Sequence, residues 1–128
     1  MTDGIINVYK ERGFTSHDVV AKLRGILRQK KIGHTGTLDP EAEGVLPVCL
    51  GSATKVCELL TDKEKTYRAV LLLGVTTDTQ DKTGTVLKET PVACEQKAVR
   101  DCIASFVGEQ DQVPTMYSAL KSKWKEAL

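Results

Sequence analysis

Residues 33–51 read GHTGTLDPEAEGVLPVCLG. Four glycines and two prolines interrupt this stretch, so it is neither one helix nor one strand. We expect a loop over 33–40, a short helical turn over 41–44 and an apolar piece over 45–50. Upstream, GIINVY at 4–9 reads as a strand and 10–15 as a turn around Gly13. A helix follows, capped by Thr15 or Ser16, with Asp18 in its first turn complementing the helix dipole. Val19, Val20, Leu23, Ile26 and Leu27 recur at helical spacing and form its expected buried stripe. Downstream, 53–60 reads as a helix, 66–73 (TYRAVLLL) as a strand apolar enough to be central, and 85–89 as another strand. Residues 95–107 read as a helix with Ala98, Val99, Cys102, Ile103 and Phe106 on one face, stopped by Gly108. Short strands alternating with helices imply an α+β fold with a mixed, largely antiparallel sheet flanked by helices.

The chain has 128 residues, 41% hydrophobic and 27% charged, which fits one globular domain at most. Lys plus Arg number 18 against 17 Asp plus Glu, which excludes a histone-like or supercharged nucleic-acid binder. Charge is uneven, however: residues 1–35 hold seven basic and three acidic side chains. Arg28, Lys30 and Lys31 end this basic quarter, as a solvated helix exit or as a phosphate-contacting edge. Cys49, Cys57, Cys94 and Cys102 form no CxxC pair and lie in apolar or helical contexts. We expect buried or semi-buried thiols in a reducing compartment. The two histidines and the cysteine spacing do not make a zinc site. With no signal-peptide pattern and no apolar run of roughly 20 residues, a cytoplasmic protein without membrane attachment is expected.

The chemistry concentrates in GHTGTLDP, 33–40. Its glycines permit a tight path or a close approach of backbone to ligand. Asp39 precedes Pro40, whose ring biases the aspartate backbone toward extended values and so fixes the direction of its side chain. Such a carboxylate is a nucleophile, a general base or a turn cap; the residues alone leave these open. A nucleotide-binding P-loop is excluded, since Gly36 is followed by Thr37 and Leu38. On the residues alone, Tyr67 reads first as an ordinary strand tyrosine, and His34 as a polar loop residue bonded to backbone.

These segments closely resemble the N-terminal part of the bacterial tRNA pseudouridine-55 synthase family, the TruB-type enzymes. The likeness runs through GIINVYKERGFTSHDVVAKLR, KKIGHTGTLDPEAEGVLPVCLGSATKVCELL and KTYRAVLLLGVTTDTQDKTGTV, and resumes at QVPTMYSALK. The resemblance implies the pseudouridine synthase catalytic-domain fold. It implies isomerisation of uridine 55 in the T arm of tRNA, with Asp39 as catalytic carboxylate and neither cofactor nor metal. It implies that His34 lies beside the flipped-out target base and that Tyr67 stacks on it. Lys10 and Gly13 fall on the N-terminal lysine–glycine segment at the edge of the site, where Glu11 replaces the usual proline. Tyr117, in MYSALK, matches a position lining the site region. Arg28, Lys30 and Lys31 become the candidate RNA-phosphate contacts.

The resemblance also implies that 1–128 is the N-terminal part of a longer catalytic domain. The expected remainder holds an arginine that pairs with the aspartate, a K-G-T-Y-I-R-type segment and a C-terminal RNA-binding domain. The competing expectation is therefore a catalytically incompetent fragment that keeps part of the fold and weak RNA binding. The expected partner is tRNA, with no obligatory protein partner; a full-length enzyme is expected to be monomeric and a fragment to self-associate. A guide-RNA-dependent relative would need partner proteins and is disfavoured by the bacterial-like spacing and the lack of an extended basic tail.

Overall fold

The computed structural model describes residues 1–61 and 63–114. Two compact units divide the chain, 1–67 and 68–128.

The first unit opens on β1 (Gly4–Lys10), followed by α1 (Ser16–Leu27), β2 (Ile32–His34), β3 (Gly44–Leu50), a 3-10 turn (Gly51–Val56) and α2 (Cys57–Thr61). Strand β3 is central, antiparallel to β1 on one side and to β2 on the other. Alternation along β1 leaves Ile5, Asn7 and Tyr9 exposed and turns Ile6 and Val8 inward. The inner face joins Val19 and Val20 of α1 to Ile32, Leu46, Val48 and Leu50, with Phe14, Leu23, Leu27 and Leu38 packed around them. Pro47 is tolerated in this central strand because β2 has already ended: β2 pairs only as far as His34 opposite Val48. The Pro47 carbonyl, on that same side, accepts from Thr35 N at 3.1 Å.

Helix α1 starts where the sequence indicates. Thr15 Oγ1 accepts from Asp18 N at 3.0 Å and the Asp18 carboxylate accepts from Thr15 N at 2.9 Å, a reciprocal capping box. Arg28 closes the helix in the left-handed region, with φ of 50°. Ile26 departs from the expected stripe: it is 67% exposed, on the flank of α1 beside β1, an edge strand among the described residues. There it lines a shallow groove of about 230 Å³ with Val8, Tyr9 and Phe14.

Two other expectations change here. Gly33 and His34 belong to β2 rather than to the loop, and 41–44 holds only a turn closed by Ala42 N on the Asp39 carbonyl at 3.0 Å before β3 begins. The single helix expected over 53–60 is a 3-10 turn running into five residues of α-helix. The Thr54 hydroxyl donates to the Gly51 carbonyl at 2.8 Å and the Cys57 N–H to Thr54 O, three-residue bonds that wind the backbone tightly.

The second unit contains a hairpin of β4 (Val75–Thr77) and β5 (Val86–Glu89), then α3 (Gln96–Ala104). Asp81 knots the connecting loop: its carboxylate accepts from Thr79 Oγ1 at 2.7 Å, Thr83 N at 2.8 Å and Thr83 Oγ1 at 2.6 Å. The Thr83 and Thr79 hydroxyls hold the Asp81 carboxyl below its usual value. The run 66–73 is not the expected central strand. Among the described residues no strand pairs with it, and Val70 is 93% exposed. Apolar composition supplies a strand's burial preference, but the ladder requires a neighbour. Helix α3 is shorter than 95–107, and of its apolar stripe only Val99 is half-buried, with Ile103 and Phe106 exposed. Cys49 is buried and Cys57 half-buried as expected, whereas Cys94 and Cys102 are exposed because they lie before and on this uncovered helix.

Candidate active site

The turn between β1 and α1 clamps the loop between β2 and β3. Lys10, the last residue of β1, is fully buried. Its ammonium donates to the carbonyls of Phe14 at 2.6 Å, Glu11 at 3.1 Å and Pro40 at 3.3 Å. Three carbonyls use up the three donors, which is what allows a buried cation here. The Gly13 N–H donates to the same Pro40 carbonyl at 2.8 Å. Gly13 has φ of 87°, a left-handed backbone that favours glycine. Ser16, buried in the first turn of α1, accepts from Leu38 N at 2.9 Å. The neighbours of Asp39 on both sides are thus anchored. Asp39 itself is exposed, and its carboxylate takes no side-chain partner among the described residues.

His34 is half-buried at the end of β2, with Nδ1 2.8 Å from the Gly36 carbonyl. A carbonyl only accepts, so Nδ1 carries the proton and Nε2 is the nitrogen left for other contacts. Thr35 is buried, and its hydroxyl donates to the Pro47 carbonyl at 3.2 Å. A Cβ on Gly36 would lie 3.2 Å from Lys65 Cε, a close approach that the flexible lysine would have to relieve by a few tenths of an ångström. A cleft of about 360 Å³ opens beside this loop, lined by Thr35, Gly36, Leu38, Leu60, Lys65 and Tyr67 among others. The Tyr67 side chain is 61% exposed on that cleft. The structure therefore brings Tyr67 to the same cleft as Thr35 and Gly36 of the GHTG segment, while Asp39 and His34 stand outside the lining residues.

Arg28, Lys30 and Lys31 are exposed where the chain enters β2, at the end away from the Asp39 loop. Gln29, between them, is buried and fixes this corner: its amide accepts from Thr2 N at 2.8 Å and donates to Thr2 O at 3.0 Å. Tyr117 lies outside the described residues. Sequence reasoning missed Ser16 as a support of the loop and Gln29 as a support of the basic corner. Ser16 carried a signal only as a cap candidate, and Gln29 carried none. No group of His, Cys, Asp and Glu among the described residues is arranged to hold a metal ion.

Residues 24–128 match the sequence profile of the TruB family pseudouridylate synthase (N terminal domain). The chain belongs to the TruB family. Among its curated relatives, tRNA pseudouridine synthase B of Lachnoclostridium phytofermentans is 65% identical over 119 residues, covering 93% of this chain and 39% of that protein. The protein of the same name from Staphylococcus saprophyticus is 52% identical over 129 residues, covering 98% of this chain and 42% of that one. This TruB-family chain thus spans about two fifths of the length of those relatives. Among solved structures, a chain of a Cbf5–Nop10–Gar1 complex is 32% identical with a TM-score of 0.59, over 92% of this chain and 31% of that one. The α+β class expected from the sequence stands, built from antiparallel sheets and helices. Among the described residues, no helix is long and apolar enough to cross a membrane.

Proposed function

We propose that this TruB-family protein is a cytoplasmic tRNA pseudouridine synthase that converts uridine 55 of the T arm, with Asp39 as its catalytic carboxylate. One observation carries the reading: Asp39 is exposed and unpartnered among the described residues, between neighbours pinned by Ser16 on Leu38 and by Gly13 and Lys10 on Pro40. A backbone fixed on both sides with a free carboxylate between suits a nucleophile better than a turn cap, which would be engaged in bonds of its own.

The reaction breaks the N1–C1′ bond, turns the uracil and joins C5 to C1′. N1 gains a proton and C5 loses one, so the substrate's composition and oxidation state are unchanged. A carboxylate attacking C1′ of the sugar or C6 of the base supplies the covalent hold that keeps the uracil from escaping. The base must first leave its stack, which costs a few kcal/mol. Tyr67, exposed on the cleft beside the GHTG segment, offers a stacking face in return. His34, with Nε2 available, borders the flipped base, and Arg28, Lys30 and Lys31 contact phosphates of the arm. Lys10 and Gly13 act through the loop, as positioning residues.

Incubating the protein with unmodified tRNA and mapping pseudouridine by carbodiimide modification tests this reading. Product at the T-arm position alone is the expected result. A folded sample that yields no product, or product scattered over other uridines, would overturn it.

A further inference from the structure

Three features remain unused: the groove beside β1, the Asp81 knot and a pair of thiols on the outer face of the first unit. Nothing shows what would fill the groove, and the hydroxyls around Asp81 already satisfy it. The thiols carry more. Gly33 of β2 and Cys49 of β3 stand directly opposite each other. Opposed residues of an antiparallel pair send their side chains to the same face, with Cβ positions about 4.5–5.5 Å apart. A second sulfur stands close beside the place where Gly33 lacks a side chain: a Cβ built there would lie 3.3 Å from Cys57 Sγ. Cys57 begins α2, eight residues beyond Cys49, and folds back over the strand through the intervening 3-10 turn. The glycine thus leaves room for two cysteine sulfurs over one cross-strand position, Cys49 fully buried beneath and Cys57 half-exposed above.

We propose that Cys49 and Cys57 form a reversible intramolecular disulfide under oxidation by a peroxide, pinning α2 to the central strand. Cys57 meets the oxidant: its thiolate takes one oxygen from hydrogen peroxide, giving a sulfenic acid and hydroxide. The Cys49 thiol then attacks that sulfur, the disulfide forms, and the oxygen leaves as water. Burial and the adjacent Cys57 thiol push the Cys49 thiol up to about 11, so Cys49 is little ionised and the half-exposed Cys57 is the thiol that meets the oxidant first. The link matters to the cleft, because the carbonyl of Thr61, the last residue of α2, accepts from Lys65 Nζ at 3.5 Å, and Lys65 packs against Gly36. Reaction with a thiol reductant reverses the step.

Trypsin separates the two cysteines at Lys55, into peptides 32–55 and 56–63. The reduced protein is treated with hydrogen peroxide, quenched with catalase, alkylated in denaturant and digested without reductant. The expected product is these two peptides joined, lighter than their sum by two hydrogens and released by dithiothreitol. The link should persist in a Cys94→Ser/Cys102→Ser variant and vanish in Cys57→Ser and in Cys49→Ser. Cys57 carried on to the sulfinic acid while Cys49 stays alkylatable would overturn the proposal. So would links made mainly through Cys94 or Cys102, or between chains. The wild-type digest decides the matter even where a variant fails to fold.

Discussion

At the scale of single residues, the site rests on side chains that never touch a substrate. Ser16 is the clearest. Its hydroxyl is the acceptor for the Leu38 N–H, and it sits 2% exposed where water cannot replace it. Ser16→Ala leaves a buried donor unpaired, and we predict a loss of about 1–3 kcal/mol in stability, read from the urea midpoint. Turnover should fall further than stability alone explains, because Leu38 adjoins Asp39; Ser16→Thr, which keeps the hydroxyl, should recover part of both. Tyr67 makes a different claim. Stacking on an extruded base is worth roughly 1–3 kcal/mol, so Tyr67→Leu should slow conversion roughly 5- to 150-fold. A side chain 61% exposed contributes little to folding, so the melting temperature should stay put. An unchanged rate in Tyr67→Leu would remove Tyr67 from the site. Asp39, His34 and Tyr67 could be singled out from the sequence because the GHTGTLDP loop and KTYRA are distinctive strings. Ser16 and Gln29 could not, because their roles depend on backbone atoms 22 and 27 residues away.

At the scale of elements, local chemistry was legible and long-range pairing was not. The cap of α1 was expected at Thr15 or Ser16 with Asp18 in the first turn, and the structure places it at Thr15 with both halves of a capping box. The Thr15 hydroxyl and N–H hold the Asp18 carboxyl below its unfolded value of 3.8. A depressed carboxylate adds stability above the unfolded pKa and loses it as pH falls through the folded one. Wild-type α1 should therefore weaken as pH drops below about 4, as followed by far-ultraviolet circular dichroism. Asp18→Asn should be less stable near neutrality and should lose part of this acid dependence; an acid limb identical to wild type would contradict the cap's contribution. The apolar piece expected over 45–50 is strand β3 in the structure, and Pro47 is tolerated in it because β2 ends before the missing N–H would be needed. The run 66–73 was misread because apolar residues were taken as evidence of a paired strand. Pairing is a property of two segments, and no described segment pairs with this one. The apolar face of α3 was misread for the same reason: spacing identifies a stripe, but not whether anything covers it.

At the scale of the whole molecule, the question is whether the anchored loop performs chemistry. The first unit holds every described candidate residue, on three strands and two helices around one small core. The chain spans about two fifths of its curated relatives, so their activity is carried to it as a proposal that rests on Asp39. The most direct measurement uses tRNA transcribed with uridine tritiated at C5, since forming the C5–C1′ bond must release that hydrogen to water. Asp39→Asn keeps the size and polarity of the side chain and removes its charge and nucleophilicity. We predict tritium release by the wild-type protein and only background release by Asp39→Asn, with tRNA binding and melting temperature unchanged between them. Tritium release by Asp39→Asn at the wild-type rate would contradict the catalytic role of the Asp39 carboxylate.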